Sequence, residues 1–402
     1  MLALLKIGIT LAVIIYLLNR KTTMVLAMFA GSAVLFLLTG PTLQKLASTS
    51  LATATGISTW EIIIALYCVM CLEYQLRTGG IIDGVMASCR RIFKSDRVLL
   101  AMMPSFLGFL PSLGGAIFSA PLVENASKAY DLTPEAKTTI NYWFRHVWEF
   151  TNPMFTGMLL ASQISGIPLS VLVGNMLWVT VLAIAVGWIF LIVPLKSSGH
   201  TSIPNSSCPA PDRPYIALAA GPILVNLFAI VALKMNAAAS MALVVTGMAF
   251  ILRQNMPDIR SMLSHALDKN LFGGVIGILF FQYMLRQSGV ISDIAVFLDQ
   301  MAIAPSVVVG IIAFTGGLLT GTSQGFVALA FPFIGILAPG DLTLTLICFV
   351  MGTAGHMMSP AHLCLIVTLD YFKSDFLKTL RPVFMLEILM VAATVGFIKI
   401  WG

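Results

Sequence analysis

Apolar residues run through this sequence in long blocks separated by short polar stretches, and about 20 apolar residues are what a helix needs to cross the hydrocarbon core of a bilayer. The first half offers five such blocks, at roughly 2–18, 23–39, 58–76, 138–161 and 168–194. The second half offers five more, at roughly 215–234, 238–252, 271–287, 343–368 and 380–400. Between the third and fourth block of each set lies an amphipathic segment, 80–97 or 290–301, and then an apolar stretch broken at its middle. In the first stretch, about 98–122, the breakers are Gly108, Pro111, Ser112, Gly114 and Gly115. In the second, about 307–337, they are Gly316, Gly317, Thr320, Gly321, Thr322, Ser323, Gln324 and Gly325. Irregular backbone exposed to lipid leaves polar groups unsatisfied, so such breaks suit re-entrant hairpins with tips buried in protein. The pattern predicts an all-α membrane protein of ten transmembrane helices plus two re-entrant helical hairpins.

The pattern also predicts two repeats, residues 1–196 and 215–402, joined by a Pro- and Ser-rich cytoplasmic linker at 197–214. Tyr74, Leu76, Arg77, Gly80 and Ile82 match Tyr283, Leu285, Arg286, Gly289 and Ile291 at one constant offset, as Gly108 and Leu110 match Gly317 and Leu319. Two residues further out of step, Asn152-Pro153 aligns with Ser359-Pro360 and Glu149 with His356. Five crossings per repeat is an odd number, which inverts the second repeat relative to the first. Lys and Arg support this arrangement: with both termini outside, seventeen of the twenty-three face the cytoplasm and five face out, Arg145 being intramembrane. The first hairpin then opens to the cytoplasm and the second to the outside.

Composition narrows the class. With 58% hydrophobic and 10% charged residues the chain is unlike a soluble domain, where about a quarter would be charged. The net charge of +6 does not imply nucleic acid, because the basic residues are neither clustered nor interleaved with aromatics. The partners expected are the lipid bilayer and a small solute or ion. Six scattered cysteines form no disulfide framework, and Cys68 and Cys71 lie inside an apolar helix. A charge at the bilayer centre costs roughly 2.5–3.5 kcal/mol, so the polar residues of 141–153 must face protein or a watery cavity. At helical spacing Tyr142, Arg145, Glu149 and Asn152 share a face. Pro153 and Pro360 lack an N–H, which frees the carbonyls of residues 149 and 356 for a new donor or a cation.

Discontinuous helices offer N–H groups to anions and bare carbonyls to cations. Glu149 is the expected ion-coupling group, since an acid held out of water can load and release a proton. His146, His356, Asn152 and Thr353 are its expected helpers. For the solute the candidates are Arg145, whose guanidinium matches a carboxylate or phosphate in a fork, with Asn152, Ser112, Gly114, Gly115, Thr322, Ser323, Gln324 and Ser359. Arg145 serves equally as a static partner of Glu149, one turn away. His356 and His362 have no third ligand at recognisable spacing, so neither a metal site nor a cofactor is expected, only a coupling proton or sodium ion. No phosphate-binding loop, Gly-x-Ser-x-Gly elbow or His-Glu-x-x-His pair occurs, and the expectation is a transporter rather than an enzyme.

The run Phe106-Leu107-Gly108-Phe109-Leu110-Pro111-Ser112-Leu113-Gly114-Gly115, then Ala120-Pro121-Leu122, then Asn141-Tyr142-Trp143-Phe144-Arg145-His146-Val147-Trp148-Glu149 resembles the prokaryotic domain of unknown function 401 family. That family is grouped with the ion-transporter superfamily of sodium/dicarboxylate symporters and sodium/proton antiporters. The resemblance implies a two-repeat fold in a prokaryotic cytoplasmic (inner) membrane, a scaffold that forms a homodimer, and elevator-like movement of the hairpin domain. The dicarboxylate carriers bear Ser-Asn-Thr at both tips, where this chain has Ser112-Leu113-Gly114 and Thr322-Ser323-Gln324, so their substrate does not carry over. The reading is an ion-coupled secondary transporter of a small anionic organic solute. Its alternative is a sodium/proton antiporter without organic substrate.

Overall fold

The computed structural model describes residues 2–20, 22–81, 84–85, 88, 95–109, 115–196, 214–300 and 304–401. Every element assigned there is a helix. The first half runs α1 (Leu2–Asn19), α2 (Met24–Leu38), α3 (Leu43–Thr55), α4 (Ile57–Thr78), α5 (Asp96–Phe109), α6 (Gly115–Ser127), α7 (Pro134–His146), α8 (Thr156–Ser165) and α9 (Leu169–Gly187), which continues through a π-helical turn, Trp188–Ile192. The second runs α10 (Tyr215–Val231), α11 (Ala237–Ile251), α12 (Met256–His265), α13 (Lys269–Ser288), α14 (Val290–Gln300), α15 (Pro305–Thr320), α16 (Ser323–Leu337), α17 (Leu342–Met357), α18 (Leu363–Phe372) and α19 (Phe376–Trp401). Setting α14 aside, the two series correspond helix by helix. Their first residues lie between 213 positions apart, Leu2 to Tyr215, and 207 apart, Leu169 to Phe376.

Two blocks that hydropathy reads as single spans are each two helices. Block 138–161 holds α7 and α8, and block 343–368 holds α17 and α18, with a turn between the members of each pair. The same device makes both turns. Asn152 Oδ1 accepts from Met154 N–H at 3.0 Å, and Ser359 Oγ accepts from Ala361 N–H at 3.1 Å. A short polar side chain thus bonds the backbone two residues on, across a proline that donates nothing. The expected one-face alignment of Tyr142, Arg145, Glu149 and Asn152 therefore fails, because α7 ends at His146 and the last two lie in the turn. Nor is the carbonyl of residue 356 left bare, since Ser359 N–H donates to it at 3.1 Å.

Hydropathy also passes over α3 and α12, which are too polar to register as apolar blocks. Thr42 caps α3 and a reciprocal Asn255/Asp258 capping box starts α12, so local hydrogen bonding places both helices. The tip 110–114 and the linker 197–213 lie outside the described residues.

Packing crosses between the halves in matched pairs. Helix α2 lies on α13 and α4 on α11; α8 lies on α16 and α18 on α6. Within each half the hairpin arms pack on each other, α5 on α6 and α15 on α16, and the first arm packs on the first part of the broken helix, α5 on α7 and α15 on α17. Glycine permits that approach: a Cβ on Gly108 would strike the Arg145 backbone, and one on Gly317 would strike Gly352 and come within 2.6 Å of His356 N. Large apolar side chains such as Leu37, Phe190, Phe250 and Met385 are exposed, while Thr, Ser, Asn and His are buried. That inside-out distribution suits a lipid solvent. Among the described residues three helices are long and apolar enough to span a membrane, Ile57–Thr78, Leu169–Ile192 and Phe376–Ile400, and eight shorter apolar ones accompany them.

Candidate functional site

The site forms where the two broken helices face each other. Thr133 caps α7, with Pro134 in its first turn, and Asp341 caps α17, so both helices run toward the centre from fixed starts. Their far ends bring together residues more than two hundred positions apart. Glu149 Oε2 lies 3.2 Å from His356 Nε2. His146 Nε2 lies 3.1 Å from His362 Nε2, and His146 Nδ1 lies 2.6 Å from the Tyr142 carbonyl. The Tyr142 hydroxyl donates at 2.9 Å to the carbonyl of Met357, at the end of the opposite helix. His356 and His362 stack with centroids 4.7 Å apart and planes 13° apart, and His146 meets His362 edge-on at 4.8 Å. All three imidazoles are buried.

A cavity of about 530 Å³ opens beside this cluster. Glu149 forms part of its wall, with Glu73 of α4, Asp268 before α13, Phe155 and Thr156 at the start of α8, and Ser323 and Gln324 at the second tip. Helix α8 begins without a side-chain cap, as does α18. Its first amides thus bring the positive end of a helix dipole to the cavity, among three carboxylates. The tip is seated rather than hanging: Gly321, with φ +65°, lies against the backbone of Ala361 and His362, and Ser323 lies against Gly157.

The expected residues divide by location. Glu149, His146 and His356 come together, and Ser323 and Gln324 reach the same cavity as Glu149. Thr353 lines a smaller space, about 10 Å³, with His146 and Glu387. Thr322 accepts from Gly325 N–H and so caps α16. Ser359 is occupied by its turn, while Asn152 both makes its turn and donates to the Phe109 carbonyl at 2.8 Å. Arg145 donates from Nη1 to the Leu107 carbonyl at 3.1 Å, tying α7 to the first hairpin arm, and the Cys364 thiol lies beside it. Glu149 pairs with His356 of the other half, where sequence proximity had suggested Arg145. Ser112 and Gly114 lie outside the described residues; Gly115 is the first residue of α6.

Glu73, Glu387 and Asp268 stand apart from the polar run 141–153 in the sequence, with no motif around them to mark them as site residues. Glu73 and Asp268 border the cavity, and Glu387 is buried beside His146. The placement of Glu73 and Asp268 depends on helix pairing between halves, α4 on α11 and α13 on α2, and that of Glu387 on the packing of α19 against α7, for which the sequence around each acid carries no signal.

The architecture has a solved counterpart. The chain is similar to the YdaH transporter of Alcanivorax borkumensis, with a TM-score of 0.61 over 89% of this chain and 88% of that one, at 13% identity. At that identity the likeness speaks to the fold. No curated protein matches this chain by sequence. The family model described as "Protein of unknown function (DUF401)" matches residues 1–400, and the chain belongs to that family.

Proposed function

We propose that the chain is an ion-coupled secondary transporter of the prokaryotic cytoplasmic membrane. In this reading the coupling cation, a proton or sodium ion, loads at Glu149 and a small anionic organic solute binds beside it. The observation that carries the proposal is a partly buried carboxylate that touches the cavity on one side and a histidine of the opposite half on the other. An ion at such a junction bears on both halves, so its binding can bias one arrangement of the halves over another. The α8 N-terminus, Thr156, Ser323 and Gln324 supply donors for an anion, and the three acids supply sites for the cation that accompanies it.

The remaining organisation belongs to the same proposal: ten spans in two inverted repeats, both termini outside, hairpins opening to opposite faces, a homodimer, and elevator-type alternating access. The matched pairs α2–α13 and α4–α11 support it, because a pseudo-two-fold axis exchanges such pairs. A second reading, sodium/proton antiport without organic substrate, draws on the three carboxylates of the cavity wall.

Purified protein in liposomes, screened for solute-dependent proton or sodium flux, tests both. Under the proposal Glu149→Gln abolishes coupled flux and Gln324→Ala weakens solute-dependent flux. Under the antiport reading Gln324→Ala still exchanges sodium for protons. Coupled flux that survives Glu149→Gln defeats both readings.

A further inference from the structure

Three histidines come together here that no local spacing reveals, since His146 ends α7 while His356 and His362 flank the turn after α17. We propose that His146, His356 and His362 form a binding site for a divalent transition-metal ion of the zinc class. One ligating nitrogen from each ring lies within 4.8 Å of the other two. Three points that close lie no more than about 2.8 Å (4.8/√3) from a common centre, against about 2.0–2.1 Å for a zinc–imidazole bond. Completing the bonds takes inward shifts of about 0.7 Å and a rotation that tilts His356 and His362 out of their near-parallel stack, because each lone pair lies in its ring plane. The shortest approach, 3.1 Å between His146 Nε2 and His362 Nε2, is already near the roughly 3.3 Å that two nitrogens keep around a tetrahedral ion.

The outer contacts assign nitrogens to the metal. A carbonyl only accepts, so the Tyr142 carbonyl makes His146 Nδ1 the protonated nitrogen and leaves Nε2 with its lone pair facing His362. The Glu149 carboxylate, 3.2 Å from His356 Nε2, favours the proton on that nitrogen, which leaves the lone pair on His356 Nδ1. That Nδ1 is buried without a hydrogen-bond partner, a costly condition that ligation of a cation would relieve. A carbonyl behind one ligand and a carboxylate behind another are the supports that orient metal-bound histidines. Imidazole is a ligand of zinc, copper, iron and nickel rather than of magnesium or calcium, so the site is selective by ligand type. Glu149 touches His356 on one side and borders the cavity on the other, so the cluster lies one side chain away from the cavity.

Binding is measured on the purified full chain in detergent, independently of transport, so a negative result leaves the transporter reading standing and a failure to transport leaves this one standing. Cobalt(II) serves as the visible probe. The expected result is one equivalent bound per chain, with ligand-field absorption that zinc abolishes. His146→Gln, His356→Gln and His362→Gln should each lose it, and Glu149→Gln should weaken binding about 10–100-fold through loss of support to His356. His265→Gln, on α12 and far from the cluster in the chain, should bind as wild type. Absent ligand-field absorption, or absorption retained in all three histidine variants, overturns the proposal. Should a variant fail to purify in folded form, X-ray absorption of the zinc-loaded wild-type chain decides. Three imidazole scatterers support the site, and sulfur ligation or fewer imidazoles overturn it.

Discussion

Replacing Gly321 by alanine probes whether the second hairpin tip is seated on the turn of the broken helix. Two costs separate at this residue. Its φ of +65° is a left-handed conformation, which costs an L-residue with a side chain roughly 1–2 kcal/mol. The added Cβ would also fall 2.7 Å from the Ala361 carbonyl carbon and 2.8 Å from His362 N, both backbone atoms that cannot swing aside. Overpacking of that kind costs about 1–3 kcal/mol, and the two together come to about 2–5 kcal/mol. Gly289 supplies the control: its φ is +71°, but a Cβ there meets nothing within 4 Å. Gly289→Ala should therefore cost only about 1–2 kcal/mol, and the gain in unfolded-state rigidity on replacing glycine is common to both and cancels. The assay is equilibrium unfolding in detergent for wild type and both variants. Gly321→Ala should exceed Gly289→Ala by about 1–3 kcal/mol, a factor of roughly 5 to 150 in the unfolding constant. Equal losses would mean that the tip does not rest on residues 361 and 362, and the geometry of the cavity wall at Ser323 and Gln324 would fall with it.

Two other substitutions test the joints between elements. Tyr142→Phe removes the donor to the Met357 carbonyl and should cost about 1–3 kcal/mol, because the carbonyl stays buried; an unchanged melting temperature would deny that bond. Asn152→Ala loses both the turn acceptor and the donor to Phe109, at about 1–3 kcal/mol each, whereas Asn152→Ser should recover the turn, as Ser359 does in the second half. Unfolding midpoints that rank serine no better than alanine would contradict the shared turn mechanism.

Much of this architecture could be read without coordinates, for identifiable reasons. Hydrophobic blocks reveal helices because lipid requires every backbone group to be paired within its own segment. The ordered matches anticipate the correspondence of helices, and Gly108 with Gly317 proves the clearest instance. Each is the point where the first hairpin arm presses on the backbone of the helix beside it, an approach that a Cβ would block. The aligned Asn152-Pro153 and Ser359-Pro360 likewise mark one turn built twice. Block length alone missed the breaks at 147–155 and 358–362, since hydropathy averages over a short turn. It also missed α3 and α12, where capping rather than apolarity sets the helix.

The sequence by itself thus determined the helical class, the order in which matching helices recur and the polar residues around which a site could form. Tertiary structure alone decided which of them meet. Glu149 has an arginine one helical turn before it and pairs instead with a histidine 207 residues later, because the chain leaves the helix at His146 and turns toward the other half. His146 joins His356 and His362 for the same reason, and Glu73 and Asp268 reach the cavity only through contacts between halves. Such partnerships arise from the packing of the two halves of the chain against each other. Local periodicity carries no record of which surfaces that packing brings face to face.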